Sequence, residues 1–191
     1  MKRVSGLVLK VFGWRLTGVF PEVDKSVIIF APHTSNWDFI IGKLYLNERG
    51  IKTSALVKKE LFYFPMNLIM KFLGSIPVDR KNKKNNVVSE LTSVYEKKEK
   101  FNLIVSAEGT RKKVTHWKKG FYNIAKSAEV PIVVSYIDFE KKEVGIKGIV
   151  EDTSNIEKTM KEITAVYKNV KGKYPENFST DKSTINFYNE N

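Results

Sequence analysis

Short, uninterrupted apolar runs constrain the fold of this chain more than any other feature. Residues 26–31 (SVIIFA), 102–107 (NLIVSA) and 131–139 (PIVVSYIDF) are six to nine residues long and almost wholly apolar. Strands of this kind are buried on both faces, which is typical of parallel sheets covered by helices on each side. The runs therefore predict an α/β fold, with a single domain and a mixed, largely parallel central sheet flanked by helices.

Helical patterns lie between these runs. Apolar residues recur every three or four positions over 3–16, which predicts an amphipathic N-terminal helix. The last helix is predicted to begin at a capping box, Ser154-x-x-Glu157. The other predicted elements are a helix ended by Gly50, a helix capped by Asn86, a helix over 121–128, and shorter strands at 53–58, 74–80 and 143–150.

The composition excludes several kinds of chemistry. The 191 residues include no cysteine and two histidines, which rules out disulfides and thiolate nucleophiles and makes a metal site a poor prospect. No run of 18 uncharged apolar residues is present, so no membrane-spanning helix is predicted, and a cytoplasmic location fits. The net charge of +12 predicts attraction to polyanions, although scattered solvated lysines would give the same charge. Only five of the 33 basic residues are arginines, which draws attention to Arg80 and Arg111.

The nonamer APHTSNWDF, residues 31–39, places a histidine and an aspartate five residues apart. On a regular helix, His33 and Asp38 would point about 140° apart. Ser35 and Asn36 are good N-caps, so a helix beginning there would put Asp38 in its first turn, from which the carboxylate can reach back to the imidazole. Such a pair is a general base, because the carboxylate orients the ring while the other ring nitrogen takes a proton from a hydroxyl. The structural alternative is that Asp38 only complements the helix dipole.

Three further blocks follow the nonamer along the chain. They read GSIPVDR at 74–80, SAEGTRK at 106–112 and VPIVVSYID at 130–138. Together with the His-x4-Asp block, they resemble the four sequence blocks of the lysophospholipid acyltransferase family, the 1-acylglycerol-3-phosphate acyltransferases of phospholipid synthesis. The resemblance covers residues 31 to about 138 and implies an O-acyltransferase with the fold of that family.

The chain departs from the family pattern at three places. Pro32 stands where the family usually has Asn before the histidine, and Ser106-Ala107 replaces the usual Phe-Pro before Glu-Gly-Thr-Arg. Val134-Ser135 lacks the second proline of the fourth block. These departures leave the choice of substrate open, and the alternative acceptor is another polar lipid, such as a lyso-aminolipid.

The resemblance implies a role for each block. An acyl group would pass from a thioester donor, acyl-CoA or acyl carrier protein, to the free hydroxyl of a lysophospholipid, most simply 1-acylglycerol-3-phosphate, with no bound cofactor or metal. His33 would be the general base and Asp38 would orient it. For Arg80, a salt bridge with Asp79 or Glu108 is the structural alternative. The residues expected to bind the acceptor and its phosphate are Arg80, Glu108, Gly109, Thr110 and Arg111.

A lysophospholipid lies in a bilayer, so the protein is expected to dock peripherally on an anionic surface, the inner face of the cytoplasmic membrane. The apolar stretch 61–73 is the first candidate, with Phe62, Phe64 and Leu68 as membrane or acyl-chain contacts. The N-terminal helix is the second candidate, and packing against the core is the alternative for both. The expected organisation is a docking helix, an acyltransferase domain and a polar tail, at 1–20, 21–175 and 176–191.

Two other functions are compatible with the charge. A nucleic-acid-binding module would use a basic surface, but the sequence has no Walker loop, zinc-ligand spacing or RNP-like block, so no nucleic-acid partner is expected. A catalytically idle membrane-binding relative is disfavoured by the intact His-x4-Asp pair. His116, the second histidine, is expected in an exposed loop, with a contact to phosphate or lipid headgroups as its functional alternative.

Overall fold

Seven strands form one sheet in the computed structural model, which describes residues 2–72, 74–78 and 87–180. The strands are β1 (Arg15–Thr17), β2 (Lys25–Ala31), β3 (Thr53–Lys58), β4 (Ser75–Val78), β5 (Phe101–Ser106), β6 (Ile132–Asp138) and β7 (Glu143–Val150). The helices are α1 (Lys2–Val11), α2 (Asn36–Glu48), α3 (Met66–Phe72), α4 (Val87–Lys97), α5 (Gly120–Ser127) and α6 (Ile156–Val166). Short 3-10 turns occupy Lys59–Leu61 and Pro175–Asn177.

The sheet is mixed and largely parallel, which confirms the predicted fold class. Its spatial order is β1-β7-β6-β2-β5-β3-β4. Five neighbouring strands run in one direction, because β2 is parallel to β5 and β6, and β3 is parallel to β4 and β5. β7 is antiparallel to β6, and β1 runs with β7. The carboxyl ends of the five parallel strands therefore meet at one edge, where the ligand sites of α/β sheets collect. We call this the site edge.

Helices cover both faces of the sheet. Val27 and Ile29 of β2 belong to the apolar cluster on one face, Ile28 and Phe30 belong to the cluster on the other, and all four are at most 5% exposed. α4, α5 and α6 contribute to the first cluster, and α1 and α2 to the second. Burial on both faces is the reason that β2 reads as an unbroken apolar run in the sequence.

The N-terminal helix is shorter than predicted. It ends at Val11, because Gly13 takes a left-handed conformation with φ 77°, and the Trp14 N–H bonds back to the Leu9 carbonyl at 2.9 Å. The prediction of a helix to residue 16 was therefore wrong beyond Val11. The chain continues into β1, a three-residue edge strand that the apolar spacing did not indicate.

The last helix also begins differently from the prediction. Its N-cap is Asn155, whose side-chain oxygen accepts hydrogen bonds from the N–H groups of Glu157 and Lys158 at 2.9 and 3.1 Å. Ser154, the predicted cap, instead donates its hydroxyl to Asp152 at 2.6 Å. Ser and Asn are both good caps, and here the nearby Asp152 carboxylate takes the serine hydroxyl away from the helix.

The second helix has the predicted limits. α2 follows its N-cap Ser35, and Gly50, with φ 79°, ends the helix turn as the sequence indicates. Asn86, the predicted cap of α4, lies outside the described residues, so that cap stays a prediction. Within the ranges that the structure describes, every helix is too short or too polar to cross a bilayer.

Candidate active site

The loop between β2 and α2 carries the histidine and aspartate of the nonamer. Because Ser35 is the N-cap, Asp38 falls in the first turn of α2 and its carboxylate reaches back to the loop. His33 Nδ1 lies 3.2 Å from Asp38 Oδ2. The Asp38 side chain is 1% exposed and the His33 side chain 24% exposed. The pair therefore combines a buried carboxylate with a ring that is partly open to solvent.

Hydrogen bonds hold both oxygens of the Asp38 carboxylate. Oδ2 accepts from the backbone N–H groups of Thr34 and Ser35, each at 2.7 Å. Oδ1 accepts from the Ser35 hydroxyl, also at 2.7 Å. Bonds to an ionised acceptor are strong, and three of them converge on this one side chain. They fix the carboxylate in the orientation that meets the imidazole of His33.

A second carboxylate, that of Glu108, bonds to the backbone of His33. Glu108, only 2% exposed, accepts a hydrogen bond on Oε1 from the His33 backbone N–H at 2.6 Å. Its Oε2 accepts from the Ser106 hydroxyl at 3.3 Å. Burial raises the pKa of Glu108 to about 7, although hydrogen bonds from the His33 and Glu108 backbone N–H groups oppose the rise. Glu108 thus titrates near neutral pH while bonded to the residue that carries the imidazole.

Gly109 and Thr110 shape the loop after β5. Gly109 has φ 67°, and a β-carbon there would lie 2.7 Å from Lys118 Cδ, so only glycine fits the turn without displacing that side chain. Its N–H donates to the Ser106 carbonyl at 3.2 Å. The Thr110 hydroxyl oxygen accepts from the Lys112 N–H at 3.3 Å, which stabilises the following turn locally.

Arg111 joins the loop after β5 to the start of α2. Its side chain is exposed, and Nη1 donates to Asn36 Oδ1. Asn36 is the first residue of α2, two positions before Asp38. The Glu108 bond and the Arg111 bond therefore connect the same two loops, one in the interior and one at the surface. The two loops thus bring a histidine, two buried carboxylates and a guanidinium together at the site edge, and we call the region between the two loops the cleft.

A family model named Acyltransferase matches residues 15–138, well over half of the chain. The chain belongs to the acyltransferase family. The matched range of this acyltransferase contains both loops of the cleft.

The fold of the acyltransferase is similar to a solved structure, that of the 1-acyl-sn-glycerophosphate (LPA) acyltransferase PlsC from Thermotoga maritima. The TM-score is 0.65, and the match covers 87% of this chain and 75% of that chain at 18% sequence identity. At this identity the likeness establishes a shared fold. A comparison with curated proteins gives no match.

The structure brings together most of the site residues predicted for the acyltransferase. Arg80 lies outside the described residues, so its place in the cleft stays a prediction. The carboxylate of Glu108 accepts from the His33 N–H, and its expected contact with the acceptor stays a prediction. The residues that share the cleft are His33, Asp38, Glu108, Gly109, Thr110 and Arg111.

The residues expected to contact a membrane are mostly at the surface. Phe64 is 79% exposed and Leu68 is 58% exposed, so neither side chain packs in the core. Phe62 is half-buried. A second exposed apolar surface lies on α1 and just after it, formed by Val4, Leu7, Val11 and Phe12, each 63–73% exposed. The loop residue His116 is exposed as expected.

Sequence reasoning missed several residues that build the acyltransferase cleft. Ser106 was noted only as a departure from the family pattern, yet its hydroxyl bonds Glu108 and accepts from the Gly109 N–H. Asn36 was considered only as a cap, and nothing in its spacing indicated a contact 75 positions away with Arg111. In the part of the chain that the structure describes, no three His, Asp or Glu side chains are grouped to hold a metal ion.

Proposed function

We propose that this acyltransferase moves a fatty acyl group from a thioester donor to the free hydroxyl of a lysophospholipid. The best candidate acceptor is 1-acylglycerol-3-phosphate, which would give phosphatidic acid. The observation that carries the proposal is the His33–Asp38 contact of 3.2 Å, with the ring partly open to solvent and Arg111 bonded to Asn36 at the start of α2. The structurally similar protein from Thermotoga maritima is a 1-acyl-sn-glycerophosphate acyltransferase, which supports the choice of acceptor.

The proposed reaction is direct acyl transfer. Asp38 Oδ2, which lies 3.2 Å from Nδ1 of His33, would hold the ring proton on Nδ1 and leave Nε2 as the base. Nε2 takes the proton of the acceptor hydroxyl as its oxygen attacks the thioester carbonyl, so a C–O bond forms and the C–S bond breaks. The imidazolium then gives its proton to the leaving thiolate, which restores the neutral ring. Acyl-CoA and acyl carrier protein are the candidate donors, and no acyl-enzyme or bound cofactor is needed.

Binding of the acceptor is proposed to depend on the guanidinium of Arg111. A guanidinium presents a planar, permanently charged fork that matches a phosphate. Because Asn36 holds Arg111 next to the first turn of α2, the phosphate would lie near the base. Arg80 is proposed to add a second guanidinium that binds the same phosphate. Glu108 is proposed to support the backbone of His33.

Docking on an anionic membrane is proposed to involve two surfaces at the site edge. Phe64 and Leu68 follow β3, whose carboxyl end lies on that edge. The end of α1 lies on the same edge, because α1 leads into β1 and Arg15, the first residue of β1, pairs with Glu143. Glu143 is the first residue of β7 and follows the turn at the carboxyl end of β6. The two surfaces therefore flank the cleft from opposite ends of the sheet. A bilayer touching both would face the cleft, with the enzyme peripheral on the inner face of the cytoplasmic membrane.

The basic charge of α1 supports the choice of an anionic bilayer. Lys2, Arg3, Lys10 and Arg15 lie within or next to α1, and the first acidic residue of the chain is Glu22. Basic residues near an anionic surface contribute about 1 kcal/mol each at moderate salt. Binding that is partly released by salt would be expected on this basis.

The test is an acyl-transfer assay with purified protein. Lysophosphatidic acid, other lysophospholipids and a lyso-aminolipid are offered in turn with acyl-CoA or acyl carrier protein thioesters of several chain lengths. Transfer to lysophosphatidic acid that is lost in His33→Ala supports the proposal. Transfer only to the lyso-aminolipid would support the alternative acceptor, and retention of activity in folded His33→Ala would overturn the mechanism.

A further inference from the structure

The segment after α6 returns to the site edge and crosses it. We call residues 171–180 the C-terminal strap. It begins where the Lys171 carbonyl accepts a hydrogen bond from the Phe139 N–H at 2.8 Å, just beyond the end of β6. It then passes the His33 loop and reaches the loop that follows β5. From the sequence, residues 171–175 belong to the end of the predicted domain and 176–180 to the predicted polar tail, and no role is indicated for them.

The strap contacts both chain neighbours of His33. Gly172 is buried, and a β-carbon built on it would lie 2.8 Å from Thr34 Oγ1 and 3.0 Å from Pro32 Cβ. Two residues later, the Tyr174 N–H donates to Thr34 Oγ1 at 3.2 Å. Pro32 and Thr34 are themselves buried. The backbone on either side of the imidazole is therefore packed against the strap.

The far end of the strap contacts the loop that carries Arg111. The Trp117 indole N–H donates to the Ser179 carbonyl at 3.0 Å, and the Ser179 hydroxyl donates to the Val114 carbonyl. The ring of Phe178 lies 6.3 Å, centroid to centroid, from the ring of Trp117, which is 3% exposed. One short segment thus bonds to the loop before α2 and to the loop after β5.

We propose that the C-terminal strap is a positioning element that sets the place of His33 relative to Arg111. The inference rests on the proposed function. Thr34 is fixed from two sides, since its N–H bonds to Asp38 inside and its hydroxyl accepts from Tyr174 of the strap outside. A displacement of Thr34 therefore moves the imidazole away from the hydroxyl that it must deprotonate. Misplacement by about 1 Å costs on the order of 10²-fold in rate for a reaction of this kind.

Gly172 offers a narrow test of this role. The residue is outside the left-handed region, so alanine there is opposed by lack of space and not by backbone conformation. The new methyl group would act as a wedge between the strap and the Pro32–Thr34 backbone. Gly148, in β7, has nothing within 4 Å of the corresponding position, which makes Gly148→Ala the matched control.

The experiment compares steady-state kinetics of the full chain for Gly172→Ala, Gly148→Ala, Thr34→Val and Thr34→Ser. We expect Gly172→Ala and Thr34→Val to lower kcat by roughly 10-fold or more while the KM values change less than about two-fold. Gly148→Ala should keep the wild-type kcat. Thr34→Ser retains the hydroxyl that accepts from Tyr174, so it should keep most of the rate that Thr34→Val loses. A purely structural role of the strap would lower the melting temperature of Gly172→Ala and Thr34→Val without the rescue of kcat by Thr34→Ser.

A spectroscopic readout separates the strap from the proposed function. The chain has two histidines, so the imidazole NMR signals of His33 are assigned by comparison with His116→Ala. We expect the Nδ1–H signal of His33, which faces Asp38, to shift or broaden in folded Gly172→Ala and Thr34→Val, and not in Gly148→Ala. This outcome does not require a substrate, so a wild-type protein without acyltransferase activity overturns the proposed function alone. An unchanged His33 signal together with wild-type kcat in both Gly172→Ala and Thr34→Val would overturn the positioning role.

Discussion

The two loops of the cleft are held in different ways. In the His33 loop, the orienting carboxylate of Asp38 is buried and accepts three hydrogen bonds from its own loop. In the Arg111 loop, the guanidinium is exposed, and it reaches the other loop through Asn36. The carboxylate that orients the proposed base is thus buried, while the guanidinium proposed to bind the phosphate stays at the surface. Changes in the first loop should therefore act on rate, and changes in the second on affinity.

Removing the base is the strongest test of this contrast. His33→Ala is expected to lower kcat by about 10³-fold or more, because general-base catalysis typically supplies 10²–10⁴-fold. The measurement is acyl transfer to lysophosphatidic acid, with circular dichroism to establish folding. His116→Ala, in an exposed loop, is the matched histidine control. A similar loss in that control would instead support its headgroup role.

The orienting carboxylate is expected to come next. Asp38→Asn places an NH2 group at one of the two oxygen positions, so either the Ser35 hydroxyl or the N–H groups of Thr34 and Ser35 lose their acceptor. In both orientations the negative charge that would stabilise the imidazolium of His33 is lost. By analogy with the aspartate of serine-protease triads, kcat should fall by roughly 10²–10⁴-fold with the KM values little changed. A change confined to the acceptor KM would show that Asp38 acts in binding and not in orientation.

The buried acid Glu108 makes a prediction about stability. Its pKa of about 7 in the folded protein lies above the ordinary value of 4.5, so the folded state holds this proton more tightly than the unfolded state. That contribution to stability is complete below pH 4.5 and is lost as the pH rises through 7. Relative to Glu108→Gln, the wild-type free energy of unfolding should therefore fall between pH 4.5 and 7, by up to about 1.4 kcal/mol per pH unit. Urea unfolding at several pH values measures the difference.

An exposed glutamate on α6 provides the control for that experiment. Glu162→Gln should track the wild type across the same pH range, since Glu162 lies at the surface. Parallel pH profiles for wild type and Glu108→Gln would contradict the burial of an acid bonded to the His33 backbone.

Arg111→Lys tests the second half of the comparison, the expected effect of the Arg111 loop on affinity. Lysine keeps the charge but loses the planar fork and the contact with Asn36, so the acceptor KM is expected to rise by about 10-fold. kcat and the donor KM should change much less. Arg49→Lys, at the far end of α2, is the matched control. A rise in the donor KM alone would mean that this loop binds the donor.

The smallest expected effect concerns membrane docking. Replacing the exposed side chains Phe64 and Leu68 with Ser should weaken binding to anionic vesicles several-fold, because partial burial of each side chain contributes about 1 kcal/mol. Phe62 is left intact because it is half-buried, and its loss would disturb packing. Leu7→Ser with Phe12→Ser tests the α1 surface in the same sedimentation assay. Wild-type binding in the first variant and loss in the second would assign docking to α1.

Local sequence patterns predicted much of the fold and the contact between His33 and Asp38. The apolar runs predicted β2, β5 and β6 because two-sided burial removes polar residues from a strand. The cap at Ser35 predicted that Asp38 would reach back, since N-cap geometry depends on a few adjacent residues. Contacts between residues that are close in sequence can be predicted from the residue types at those positions.

The wrong predictions and the omissions arose where a backbone conformation or a contact overrides the local sequence pattern. Gly13 ends α1 by its left-handed conformation, which the apolar periodicity of residues 3–16 obscured. The hydroxyl of Ser154 is taken by Asp152, which leaves Asn155 as the cap. The C-terminal strap could not be predicted, because the Tyr174–Thr34 bond joins positions 140 residues apart and follows no local pattern.

The edge strand β1 has a consequence for how the chain is made. Arg15 lies near the start of the chain, yet its partner Glu143 is 128 positions later, and both a parallel ladder and an ion pair at 2.7 Å join them. During synthesis β1 therefore leaves the ribosome long before its strand partner β7. During that interval the exposed apolar side chains of α1 can contact other surfaces before the sheet is complete. Closing this edge is also a non-local step of high contact order, which is expected to be among the slower events of folding.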